Sequence, residues 1–355
     1  MNEGNVKTRV DEDNPSSPAA EGLAPSSGAS AWWARAGRNR LVPHAVLAIV
    51  LIVLVPSLLT GSNLALATTA VIYGLFALSA LVLFGWVGLG SFGQAAFFGT
   101  GAYTAAMLKD HQLNPLIVIL IGAFVAMLLA LVVAILAGNS SGIQFAMLTL
   151  VLGEVLHQLL FTFRDVFHGD DGIFGITAQP LFGMNLFDQK NFWWYSAGVA
   201  AVFALVLYGI HRSQLGKTFT AVRDDPVKAA ALGTSVRVAR TAAFMISGFV
   251  GGIAGVLYSQ QQTGAAPGLV STVMSGSVIF MVFIGGTSNM WGPFVGALVY
   301  TYLTTRLFQG SNTSTIWIGL LLLVVVVLVR GGIMGLVERG VRLLKQRVTT
   351  ARSAS

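Results

Sequence analysis

The chain has 355 residues, 55% of them hydrophobic and only 10% charged, against roughly 25% charged in soluble domains, so it is read as a membrane protein. Its net charge of +7 sits in three clusters: ten charged residues in 1–44, eight in 211–240 and seven in 330–355. That pattern orients a chain in a bilayer and excludes a nucleic-acid binder, and the absence of cysteine excludes disulfides, thiolate catalysis and cysteine-ligated metals.

Residues 1–42 are rich in Ser, Pro, Ala, Glu and Asp and are predicted to be a disordered cytoplasmic extension without a cleavable signal. Trp32, Trp33, Arg35, Arg38 and Arg40 are interfacial anchors before the first span. Ten apolar segments follow, at 43–60, 64–86, 88–108, 115–137, 142–163, 192–210, 239–262, 269–287, 291–308 and 314–330. The predicted fold is an all-α polytopic membrane protein of about ten spans, with a membrane domain over 43–330 and a cytoplasmic tail over 331–355. A cytoplasmic N-terminus puts the basic 211–238 loop and the tail inside. It puts the 164–191 loop outside, where four acidic residues (Asp165, Asp170, Asp171, Asp188) outnumber Arg164 and Lys190, in keeping with the positive-inside rule.

The run from Gly85 to Gly101 carries so many small residues that a broken helix is expected, either lining a pathway or packing closely. Glu154 is the one acidic residue deep inside an apolar segment, about 18 Å from its start. His157 and Gln158 lie on the same helix face. A carboxylate at that depth is a functional candidate because its burial is costly unless paired; the alternative is a structural hydrogen bond to another helix. Gly248, Gly251, Gly252 and Gly255, and further on Gly292 and Gly296, have the small-xxx-small spacing of close helix packing.

The 211–238 loop contains Gly216-Lys217-Thr218, the tail of a phosphate-binding loop. The leading glycine such a loop needs is replaced by His211, and an apolar helix precedes it instead of a strand, so no ATPase site is expected. Pro226 can start a short helix running to Leu232, with Asp224 and Asp225 at its positive end and Gly233 closing it. A capped amphipathic helix between two spans is read as a docking element for a cytoplasmic partner. The five histidines (44, 111, 157, 168 and 211) are scattered, so no metal site is expected. No enzyme signature is present, and the chain is expected not to be an enzyme.

Seven segments occur in order: GLGSFGQAAFFGTGAYTAAML, IQFAMLTLVLGEVL, HGDDGIFGI, LGKTFTAVRDDPVKAAALG, RTAAFMISGFVGGIAGVLYSQ, VIFMVFIGGTSNMWGPFVGAL and RGGIMGL. Together they resemble the LivM-type permease subunits of branched-chain amino acid ABC importers over residues 64–337. The resemblance implies an ABC-importer permease fold with no cofactor of its own, in the inner membrane of a bacterium. It implies a second, LivH-type permease, two cytoplasmic ATPases that hydrolyse the ATP, and an extracytoplasmic binding protein that delivers the solute. It assigns coupling to the ATPase to Arg223, Asp224, Asp225, Ala229, Ala230 and Gly233. Ser91, Gln94, Tyr103, Gln144, Glu154 and His157 become candidates for the solute pathway. Gln94 stands where the family usually has His, and Gln144 where it usually has Tyr, which adds amide character. Leucine-like amino acids are the expected solute, with urea or short amides as the alternative. An ion-coupled carrier using Glu154 is the competing class.

Overall fold

The computed structural model describes residues 55–56, 59–307 except 139, 141, 177–178, 182 and 288, and residues 332–335. The expected N-terminal extension, the last apolar segment at 314–330 and nearly all of the tail lie outside the described residues, as does most of the segment at 43–60.

Ten α-helices of six or more residues and one small antiparallel strand pairing organise the described chain. Helix α1, Ser62–Leu81, runs on through a wider turn, Val82–Val87, and stops at Gly88 in the left-handed region. Then come α2 (Gln94–Met107), α3 (Pro115–Ala137), α4 (Gly142–Thr162) and α5 (Gln189–Arg212). Two shorter helices follow, α6 (Gln214–Asp224) and α7 (Pro226–Ala231). The remainder is α8 (Val236–Gln261), α9 (Thr272–Gly285) and α10 (Gly292–Tyr302), the last prolonged by a wide turn over Leu303–Leu307. Strands β1 (Ile173–Phe174) and β2 (Gly264–Ala265) pair antiparallel, with Ile173 opposite Ala265. Local chemistry sets several starts: the side chains of Asn114, Asp188, Ser235 and Ser271 each accept a backbone N–H in the first turn of α3, α5, α8 and α9, replacing bonds the helix cannot make there.

Eight of the ten expected apolar segments coincide with helices. Five are long and apolar enough to cross a membrane: α1 with its extension, α3, α4, α5 and α8. The segments expected at 88–108 and 269–287 are helical only over the 14 residues of α2 and of α9. That is about 21 Å of a 30 Å core. The missing lengths are the stretches outside α-helix, 88–93 before α2 and 266–271, most of it a tight 3-10 turn over Pro267–Val270, before α9. The order long helix, break, half-length helix thus occurs twice, in α1–α2 and in α8–α9. The two breaks lie at opposite ends of the bundle. Gly88 abuts Arg223 of α6, whereas Ala265 pairs with β1. Inverted placement of half-helices is a recurring way to put irregular backbone at membrane depth without exposing it to lipid.

The starts of α2 and α9 meet inside the bundle, where the Ala95 N–H donates to Ser275 Oγ at 3.0 Å. Next to it the Ser247 hydroxyl donates to the Ser79 carbonyl at 2.8 Å and accepts from Gln94 Nε2 at 3.2 Å. Ser79, Gln94 and Ser247 are fully buried. Ser247→Ala is therefore expected to strand the Gln94 amide and to cost about 1–3 kcal/mol, measurable as a lower unfolding temperature of the detergent-solubilised protein.

Helix α8 is the hub. Ala123, Ala126, Ala130, Ala134 and Ala137 of α3 recur at three- and four-residue intervals, all buried, and face its glycines. A Cβ on Gly252 would stand 2.6 Å from Ala126 Cβ, and one on Gly248 would stand 2.9 Å from the Ala126 carbonyl oxygen. On the other side of α8 a Cβ on Gly255 would enter the Phe98 carbonyl of α2. Gly251 is looser, with its nearest neighbours at 3.4 Å. Gly292 and Gly296 of α10 hold the same relation to the backbone of Gly286 and Met281.

Candidate functional site

The polar segment between α5 and α8 is more ordered than its composition suggests. One short helix was expected, and there are two. Helix α6 forms because Gly216, Phe219 and Val222 present one buried face to the bundle, and that burial outweighs a polar composition. Gly216-Lys217-Thr218 lies inside this helix, with the Thr218 hydroxyl donating to the Gln214 carbonyl at 2.9 Å. Helix α7 is capped by Asp225, whose Oδ1 accepts the N–H groups of Val227 and Lys228, both at 3.0 Å. The Lys228 ammonium stands 3.0 Å from its Oδ2. The Lys228 backbone bond, then its ammonium, hold the Asp225 carboxyl below the usual carboxylate range. Gly233 at φ +84° ends the helix, and the Thr234 N–H turns back to the Ala229 carbonyl at 3.0 Å.

Arg223 closes the connection between this element and the membrane bundle. Its Nη1 donates to the Gly85 carbonyl at 2.7 Å, while Nε and Nη2 hold Asp224 Oδ1 at 3.1 and 2.9 Å. Gly85 lies in the last turn of the long first helix, where carbonyls lack helical partners and the dipole favours a cation. The site also demands glycine next door. Gly88 has φ +72°, and a Cβ there would stand 2.7 Å from Arg223 Cγ. His211 stacks on Trp86 of the same turn, with ring centroids 4.8 Å apart. Arg223 is thus directed toward the helix break. The surface away from the bundle is carried by residues that sequence reasoning did not single out, Val227 and Leu232, which are 77% and 87% exposed. Asp224, Ala230 and Gly233 are exposed beside them, and Ala229 is buried. The signal for Val227 and Leu232 was two large apolar residues in a short capped helix within a polar stretch.

Helix α4 is the least buried long helix. Gln144, Met147, Val151, Glu154 and Gln158 follow one another at three- and four-residue steps, all exposed. Glu154 Oε2 accepts the Thr272 hydroxyl at 2.9 Å, and Oε1 stands 3.5 Å from His157 Nδ1. Thr272 opens α9, so the carboxylate sits at a helix N-terminus, where the dipole favours an anion. This pairing joins residues 118 apart in sequence. Gln144 lies about 15 Å along the same helix from Glu154. The other pathway candidates are enclosed: Ser91 and Gln94 are fully buried, and Tyr103 is packed edge-on against Phe167. Among the described residues no group of metal-ligating side chains exists.

Residues 62–330 match the family described as branched-chain amino acid transport system / permease component. The high-affinity branched-chain amino acid transport system permease protein LivM of Escherichia coli is 26% identical over 79% of this chain and 71% of its own length. LivM of Salmonella typhimurium is 25% identical over 77% and 70%. The nucleoside ABC transporter permease protein NupC of Lactococcus lactis is 25% identical over 63% of this chain and 71% of its own. No solved structure matches the chain at the same stringency. With the match spanning most of the sequence, from the start of α1 through α10, the chain belongs to the family of permease components of branched-chain amino acid transport systems, and is of the LivM type.

Proposed function

We propose that this chain forms, with a second LivH-type permease, the bilayer pathway of an ATP-driven importer for leucine-like amino acids. Two cytoplasmic ATPases power it, and an extracytoplasmic binding protein loads it. The observation that carries the reading is the α6–α7 element: it exposes Val227 and Leu232 while bonding through Arg223 to the helix break. A rigid, capped protrusion with an apolar tip is suited to seat in a partner, and its rear contact is suited to pass movement into the bundle. On this reading α6–α7 faces the cytoplasm, both termini are cytoplasmic, and the β1–β2 end faces outward.

The exposed stripe of α4 supports the pathway half of the reading. A carboxylate half-exposed at mid-helix is expensive against lipid, so this face is covered by water or by the second permease. Gln144, Glu154 and His157 then line the passage, where Glu154 suits the ammonium group of a zwitterion. The solute assignment leans on the two LivM relatives; urea or a short amide is the alternative within the same importer class.

The test is uptake of labelled leucine and labelled urea in cells with and without the chain, repeated after ATP depletion at preserved membrane potential. Leucine uptake that requires both the chain and ATP is the expected result. Uptake that persists without ATP removes the importer reading, and ATP-dependent uptake of urea alone replaces the solute.

A further inference from the structure

Arg237 and Arg240 lie in the first two turns of α8, three residues apart and so on one face. Neither has a part in the docking element or in the Glu154 face. That end of a helix is unfavourable for them: the dipole is positive there, no acidic residue stands in the first turn, and an anion is what it favours. Among the described residues neither arginine has an ion pair. Asp224 and Asp225, the described acids of the same end of the bundle, are held by Arg223 and Lys228.

Both side chains turn to the link between α3 and α4. A Cβ added to Gly138, which closes α3, would stand 3.5 Å from Arg237 Nε, and Arg240 Nη1 stands 3.5 Å from the Ser140 carbonyl oxygen. The carbonyl end of α3 thus faces one side of the pair. Arg240 is half-buried, with Nε turned into the protein. Its Nη2, and every donor of the exposed Arg237, have no partner among the described residues. Guanidinium donors left in this way suit the paired oxygens of a phosphate.

Apolar surface lies directly beneath. Helix α3 spends its alanine face on α8, so its opposite face points away from the bundle. In the last two turns that face presents Val132, Ile135 and Leu136, which are 52%, 56% and 59% exposed. They precede Gly138 by two to six residues and so lie about 3–9 Å below the arginines. Helix α8, with 26 residues, is about 39 Å long against a hydrocarbon core of about 30 Å. Its first turns therefore stand at headgroup level. A soluble anion could use only the guanidinium pair, whereas a phospholipid uses the pair and the apolar face together.

We infer that Arg237 and Arg240, with the end of α3, form a site for the headgroup phosphate of an anionic phospholipid, whose acyl chains lie along Val132, Ile135 and Leu136. Basic pockets between spans at headgroup depth take such lipids. The site depends neither on the direction of transport nor on the solute carried.

The test uses the chain purified in detergent with the subunits that accompany it, titrated with phosphatidylglycerol or phosphatidylcholine, bound lipid being counted by native mass spectrometry. Phosphatidylglycerol is expected to bind more tightly, and glycerol 3-phosphate is expected not to displace it. Arg237→Gln, at an exposed side chain, is expected to weaken phosphatidylglycerol about fivefold, and Arg237→Gln with Arg240→Gln about thirtyfold. Replacing both by Lys keeps the charge and should keep most of the binding. Lys217→Gln with Lys228→Gln, which removes the same charge from exposed positions of the same end, should leave it unchanged. Equal affinity for the two lipids, or equal loss in the lysine control, would overturn the site. Displacement by glycerol 3-phosphate would replace the lipid with a soluble phosphate. Loss of accompanying subunits from the double-glutamine variant would give the arginines to a subunit contact instead. Lipid binding that emerges only after deletion of residues 2–30 would give them to the acidic Asp11-Glu12-Asp13 stretch of this chain.

Discussion

Arg223→Glu is expected to lower ATP-dependent uptake by tenfold or more and to abolish stimulation of ATP hydrolysis by the loaded binding protein, with basal hydrolysis and subunit assembly retained. The wild-type guanidinium is held between the Gly85 carbonyl and Asp224, and a hydrogen bond from a charged donor is worth about 1.5–3 kcal/mol. Reversal does more than delete it. A carboxylate would face a carbonyl at the negative end of the first helix and a second carboxylate at Asp224, so the chain is expected to turn it outward and break the hydrogen bond that ties α6 to the Gly85 carbonyl. About 1.4 kcal/mol is a factor of ten, which sets the scale of the loss. Arg223→Lys should retain part of the coupling, because an ammonium reaches one acceptor but lacks the planar fork that serves both. Wild-type uptake together with wild-type stimulation in Arg223→Glu would show that movement of α6 does not pass through this contact.

Glu154→Gln is the second large effect. The amide oxygen can still accept from Thr272, so the α4–α9 contact survives, while the negative charge beside His157 and the start of α9 is lost. Uptake is expected to fall about tenfold, equivalent to about 1.4 kcal/mol of lost solute or transition stabilisation, with membrane insertion and partner assembly intact. Thr272→Val separates the two contributions: it removes the hydroxyl and keeps the charge, so it should cost less. Equal uptake in Glu154→Gln and the parent would reduce the carboxylate to a packing group.

Much of this architecture was readable in advance because it rests on local chemistry. Apolar runs of membrane length must form helices, since each backbone N–H and C=O in lipid has to find a partner inside its own segment. The glycine-crowded stretch before Gln94 announced the break. Asp225, Pro226 and Gly233 announced α7, because capping and left-handed termination depend on residues within one turn. Helix α6 was missed because its composition is polar, and only its three buried residues against the bundle justify it.

The sequence by itself determined that the chain is a helical membrane protein, where its segments lie, and, through motifs spread over most of its length, its family. Only the tertiary structure decided which way Arg223 turns, that Glu154 meets Thr272, and that Ser91, Gln94 and Tyr103 are enclosed. The division has one physical cause. Helix formation and capping are settled within a few residues by hydrogen bonds the segment makes to itself. The partner of a side chain is settled by which helices the glycine and alanine contacts of α8 bring together, and in α4–α9 those partners are more than a hundred residues apart.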